Sequence, residues 1–69
     1  MEEVNIANKI KDYRKAIDLT QEELAKKSQV STRAIQNYER GERRPGIDTA
    51  RRIAEALGQT VDEVFPAPK

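Results

Sequence analysis

The chain contains no cysteine and no histidine. Without cysteine there is no disulfide, no thiolate metal site and no thiol nucleophile; without histidine there is no zinc finger and no histidine-activated nucleophile. The three glycines are scattered, so no phosphate-cradling loop is present. Neither enzyme chemistry nor a cofactor or metal is therefore expected. Tryptophan is absent, and the few aromatics (Tyr13, Tyr38 and Phe65) fall at inward helical positions. That leaves no stacking platform for single-stranded RNA. No apolar run is long enough to span a membrane. The opening residues MEEVN have neither the basic nor the apolar segment of a secretory leader. A cytoplasmic protein with no membrane partner is expected.

What is present is charge, unevenly placed. Thirteen basic and twelve acidic side chains leave a formal charge of +1 over 69 residues. Residues 1–25 carry four basic and six acidic side chains, a balance of −2. Residues 26–52 carry eight basic and three acidic, a balance of +5; residues 53–69 return to −2. A basic middle between acidic ends suits a phosphate-facing surface with a non-binding back. The near-neutral total argues against coating nucleic acid without preference. The length fits one small domain, residues 1–69.

The apolar spacing is helical throughout, with no strand alternation, so an all-α fold is expected. Ile6, Ile10, Tyr13 and Ile17 define one face of a helix over 5–17, ended by Asp18. Thr20 with Glu23 three residues on forms a capping box for a second helix, with Leu24 and Ala25 inward. Ser28 to Val30 makes a turn, with Val30 as its buried plug. Ser31 or Thr32 caps a third helix whose inward residues are Ile35 and Tyr38. Gly41 ends it, and the loop ERRPG follows. A fourth helix from Ile47 to Leu57 buries Ile47, Ala50, Ile53, Ala54 and Leu57, and Gly58 stops it. Thr60 and Glu63 form a second capping box over a short fifth helix carrying Val61, Val64 and Phe65.

The stretch 21–40, QEELAKKSQVSTRAIQNYER, is the most telling. Two short helices joined by a tight turn suit a pair in which one helix lies in the major groove and the other braces it. The third helix exposes Thr32, Arg33, Gln36, Asn37 and Arg40 on one face. A helix selected only for solubility mixes Glu and Lys on its outer face. This face has no acid, because the spacing turns Glu39 inward. Arginine pairs two acceptors on guanine, asparagine pairs two ways with adenine, and the threonine methyl meets the thymine methyl.

These residues resemble the phage-repressor and Cro family of helix-turn-helix proteins, the XRE type. The resemblance rests on Ile10, Arg14, LTQEELAKK at 19–27, VS at 30–31, Ile35, YERG at 38–41, Pro45 and IAEALG at 53–58. It covers about residues 5–65. It implies a compact five-helix, lambda-repressor-like fold that binds double-stranded DNA as a homodimer and regulates transcription, usually by repression. It implies base contacts from Thr32, Arg33, Gln36 and Asn37. Phosphate contacts fall to Gln21, Ser31, Arg40, Arg43 and Arg44, whereas Arg51 and Arg52 are expected to be solvated. It also implies an ion pair between Arg14 and Glu39 across the domain. The chain departs from the family at Gln29 and Asp18, where glycine is common, and at Ser28, where a larger apolar residue is frequent.

One reading helix covers too few base pairs for useful selectivity, and two-fold symmetry on a palindromic site is the physical remedy. The expected dimer surface lies near the fifth helix, where Val61, Val64 and Phe65 cluster with Leu57; at least one of the four should belong to the monomer core, and the alternative is that all four do and the dimer forms only on DNA. An alternative of the same fold is an antitoxin or a module that binds a regulatory protein partner.

Overall fold

The computed structural model describes residues 8–66, and everything below concerns those residues. They form five helices in chain order: α1 (Ile10–Ala16), α2 (Gln21–Ser28), α3 (Thr32–Glu39), α4 (Ile47–Leu57) and α5 (Val61–Val64). No strand interrupts them. α2 packs against both α3 and α4, α4 carries α5, and α1 rests on α3.

The first four helices end in the same way. After each, an N–H two or three residues past the end reaches back five residues, and its neighbour makes a shorter return bond. Leu19 donates to the Arg14 carbonyl (3.0 Å) and Asp18 to Lys15 (3.1 Å). Val30 donates to Ala25 (3.0 Å) and Gln29 to Lys26 (3.3 Å). Glu42 donates to Asn37 (3.0 Å) and Gly41 to Tyr38 (3.0 Å), and Gln59 to Ala54 (2.9 Å) and Gly58 to Glu55 (3.0 Å). This pattern requires a left-handed residue at the pivot. Asp18 (φ 59°), Gln29 (φ 62°), Gly41 (φ 75°) and Gly58 (φ 74°) supply it. Two of the pivots thus carry a Cβ where glycine would be unstrained, a cost of about 1–2 kcal/mol for each.

Helix starts follow the local chemistry. The Thr20 hydroxyl accepts from Glu23 N (3.0 Å) while Glu23 Oε1 accepts from Thr20 N (2.9 Å). Thr60 and Glu63 repeat the box at α5, at 3.1 and 3.0 Å. Both satisfy N–H groups that the first turn leaves without partners.

The core gathers Ile10, Leu24, Ala25, Ile35, Ile53, Ala54, Leu57 and Val64, with Tyr13, Leu19, Val30, Tyr38, Val61 and Phe65 packed around it. Ser28 is buried with them, and its hydroxyl donates to the Leu24 carbonyl (2.7 Å). That bond within its own helix lets a small polar residue occupy an apolar position.

Several expectations need correction. The first helix begins at Ile10 and ends at Ala16, so Asn8 and Lys9 are not helical; residues 5–7, including Ile6, lie outside the described residues. Lys9 instead donates to the Val64 carbonyl (2.8 Å), tying the start of α1 to α5. Ile17 is 48% exposed because the chain has already left the helix there. Ile47 is 76% exposed: it is the first residue of α4, and the inward stripe begins only at Ala50. Val30 plugs the turn half-buried rather than fully. Val64 is 0% exposed, so it belongs to the core and leaves only Val61 and Phe65 of the expected dimer cluster with accessible surface.

Candidate nucleic-acid interface

The interface is built around α3 and the helix that supports it. Ser31 caps α3, its hydroxyl accepting from Ala34 N at 3.0 Å. Ile35, fully buried one turn on, fixes which face looks inward. The opposite face then presents Arg33 and Arg40 exposed, with Thr32, Gln36 and Asn37 half-buried.

The acid on this helix is drawn away from that face. Arg14 Nε donates to Glu39 Oε2 at 2.7 Å and Arg14 Nη2 to Oε1 at 3.1 Å, a two-pronged contact. Gln21 Nε2 donates to the same Oε1 at 3.1 Å. Arg14 Nη1 donates to the Leu19 carbonyl at 2.9 Å. One carboxylate therefore joins α1, α2 and α3. The Arg14 and Glu39 side chains are only 10% and 6% exposed. Among the described residues, no buried side-chain nitrogen or oxygen lacks a partner. A buried ion pair contributes more to placement than to net stability, since desolvation offsets much of the attraction. Here it fixes the roll of α3 against its supports.

Two open hollows flank α3. One is lined by Ser31, Arg33, Ala34, Asn37, Tyr38 and Arg43. The other is lined by Lys11, Gln21, Gln36, Glu39 and Arg40. Thr32 borders a third hollow, beside Ser31 and the start of α2. The sequence-derived candidates thus divide by side, with Arg33, Asn37 and Arg43 together and Gln21, Gln36 and Arg40 together. Arg44 is exposed in the loop after α3, while Arg51 and Arg52 are exposed on α4.

Two residues on this surface escaped the sequence reading. Lys11 reaches it from α1, and only the docking of α1 on α3 brings it there. Glu42 lies past the end of α3 and pairs with Arg40, Nε to Oε2 at 3.2 Å. Arg40 Nη2 also donates to Asn37 Oδ1 at 3.0 Å. The Asn37–Arg40 spacing of three is legible on any helix, but the Glu42 contact depends on the path of the turn.

The donors on this surface (guanidinium, carboxamide and hydroxyl groups on a rigid short helix) match base edges and phosphates. Comparison with known proteins agrees. The helix-turn-helix family model HTH_3 matches residues 10–64. An uncharacterized HTH-type transcriptional regulator of Methanocaldococcus jannaschii is 41% identical over 58 residues, covering 84% of this chain and 88% of the relative. The restriction-modification controller protein C.AhdI from Aeromonas hydrophila has a similar structure: TM-score 0.78, 30% identity, 83% of this chain and 86% of that one. The DNA-binding domain of the P22 c2 repressor is similar at TM-score 0.77 and 29% identity, over 90% of this chain and 82% of that one. Five helices, a third helix braced by α1 and α2, and a family match over nearly all the described residues converge: the chain belongs to the XRE-type helix-turn-helix family of DNA-binding transcriptional regulators and is not an enzyme.

Proposed function

We propose that this regulator binds a palindromic operator as a homodimer and represses transcription from it. The observation that carries the reading is the outer face of α3, which holds no carboxylate because Arg14 and Gln21 hold Glu39 inward. A reading helix with an outward acid would repel the phosphates flanking the groove.

The roles divide by chemistry. Arg33 offers the fork that pairs guanine O6 and N7, and Asn37 the carboxamide that pairs adenine. Thr32 and Gln36 complete the base-facing set. Ser31 stands at the N-terminus of α3, where its N–H groups and hydroxyl favour a phosphate. Gln21 keeps one amide N–H beyond its bond to Glu39, enough for a phosphate oxygen. Arg40, Arg43 and Arg44 supply charge at the far end of α3 and in the loop. Together they steer the protein to the duplex and displace counterions. The bound dimer then occludes the polymerase. Such a repressor works where the chromosome is, in the cytoplasm. Val61 and Phe65 are the accessible apolar residues of α5 and its cap, and form the proposed dimer contact.

Selection of bound duplexes from a random pool tests the reading. The expected product is an inverted repeat whose half-sites lie about 34–36 Å apart along the duplex. Recovery of a single, asymmetric half-site would remove the dimer. Recovery of nothing above background at low salt would remove sequence-specific binding altogether.

A further inference from the structure

We propose that Glu42 and Arg40 position Asn37 for base reading: through the Arg40 guanidinium they hold the Asn37 carboxamide in one of its two orientations, and Glu42 keeps that guanidinium partly engaged within the protein. The inference rests on the reading of Asn37 as a base contact.

The contacts form a short chain. Arg40 Nη2 donates to Asn37 Oδ1 at 3.0 Å. A guanidinium carries donors and no acceptor, so the atom facing it must be the amide oxygen. The amide NH2 is thereby turned away from Arg40. Glu42 grips the same guanidinium, with Nε to Oε2 at 3.2 Å and Nη2 to Oε1 at 3.4 Å. Arg40 Nη1 takes part in none of these bonds, which leaves it for a phosphate.

The backbone independently places Glu42 there. Gly41, at φ 75°, turns the chain back over the end of α3. The Glu42 N–H then donates to the Asn37 carbonyl at 3.0 Å. The main chain of Glu42 thus returns to the residue proposed to read a base, and its side chain to the arginine bonded to that residue.

The consequence is a donor with a fixed direction. Held this way, Asn37 presents N–H to an acceptor such as purine N7, while its oxygen keeps one lone pair. An amide free to flip presents its oxygen just as well, and that accepts the N4 donor of cytosine. Holding the amide therefore sharpens the penalty for cytosine at this step. The acid also lowers affinity for every duplex, because it repels phosphates and occupies a cation. Glu42 thus exchanges general affinity for choice at one base.

The Arg40 and Glu42 side chains are 58% exposed, so the hold is modest. Its loss changes discrimination by about fivefold at most, the ceiling for an exposed pair.

Four full-length chains test this: the parent, Glu42→Ala, Asn37→Ala and the double variant. Dissociation constants are measured by fluorescence anisotropy on the selected duplex, on its single-base variants and on an unrelated duplex, across a salt series. Melting curves confirm that each chain folds. Glu42→Ala is expected to tighten binding to the unrelated duplex and to steepen the salt slope, by up to about 0.9, as the whole Arg40 guanidinium is released to its phosphate. It should also weaken discrimination about three- to fivefold, only at the step that Asn37→Ala flattens. In the Asn37→Ala background it should leave discrimination unchanged. The proposal is overturned if Glu42→Ala leaves that step untouched, or if its effect adds in full to Asn37→Ala. If Asn37→Ala itself alters no base preference, the reading of Asn37 fails first and the proposal falls with it.

Discussion

Replacing Glu39 with alanine removes the group on which three helices converge. The Arg14 guanidinium loses its bonds from Nε and Nη2 to the carboxylate, and Gln21 loses the one from Nε2. Arg14 stays charged in a side chain that is 10% exposed. Breaking a buried pair from one side costs about 3–5 kcal/mol, because the remaining charge is left uncompensated. Two features favour the low end. Arg14 Nη1 keeps its bond to the Leu19 carbonyl. The pair also lies beneath an open hollow lined by Lys11, Lys15 and Thr20, so water can reach the vacated position. We expect a loss of about 3 kcal/mol. A chain of this size has only about 3–10 kcal/mol of stability to lose. The expected fall in melting temperature is roughly 12–24 °C, at about 4–8 °C per kcal/mol. Circular dichroism melts and urea titrations of parent and variant measure it. A fall below about 4 °C would refute the reasoning, since it would equate the pair with an exposed one. The double variant Arg14→Ala with Glu39→Ala adds a second check: it should lose clearly less than the two single losses combined. Additive losses would mean that the two side chains do not depend on each other.

Gln29→Gly is expected to raise stability by about 0.5–1 kcal/mol, the relief of left-handed strain less the entropy of a freer unfolded chain; a urea midpoint that falls would contradict the φ of 62° at this turn. Arg33→Ala should cost about 1–3 kcal/mol on the selected duplex and relax choice at one base. Arg44→Ala should weaken all duplexes alike and lower the salt slope by about one. Anisotropy titrations on matched and mismatched duplexes separate the two, and identical behaviour would show that the division between base and phosphate contacts is wrong. Thr20→Ala should destabilise the fold by about 1 kcal/mol, read from its thermal melt, because it opens the capping box in front of α2.

The parts of the fold that were legible are those decided locally. Thr20 with Glu23, and Thr60 with Glu63, announce their helix starts because the capping contacts span only three residues. Ile35, Ile53 and Leu57 were correctly read as inward because a helix in the middle of its span obeys its own period. The period fails at ends. Ile17 and Ile47 carry the right spacing, yet one lies just past its helix and the other begins one, so neither reaches the core. Val64 shows a different limit. Spacing marks it as apolar and inward on α5 but does not say whether its cover comes from α4 or from another molecule; the packing of α5 on α4 settles that it is core. At the candidate site, the face of α3 was legible because it needs only one helix. Lys11 and Glu42 were not, since their positions depend on how α1 docks and how the chain turns at Gly41.

The two charged clusters around α3 differ in stiffness, and the difference bears on recognition. At the back, Glu39 is held by Arg14 and Gln21 through bonds of 2.7 to 3.1 Å in side chains almost closed to water. α3 cannot roll about its axis without breaking all of them. At the front, Arg40 and Glu42 pair in side chains open to solvent beside the half-buried Asn37, and such an ion pair exchanges for water at little cost. In the proposed complex, a rigid back places every side chain of the outer face at a set height over the groove. In the same proposed complex, a soft front lets Arg40 move between Glu42 and a phosphate without disturbing the helix. Reversing the arrangement would spoil both functions: a loose back would blur all base contacts together, while a buried Arg40–Glu42 pair would withhold its cation from the duplex. On this proposal the position of the acids along the chain matters more to the interface than their number, because Glu39 orients α3 only from within and Glu42 restrains Arg40 only at the rim.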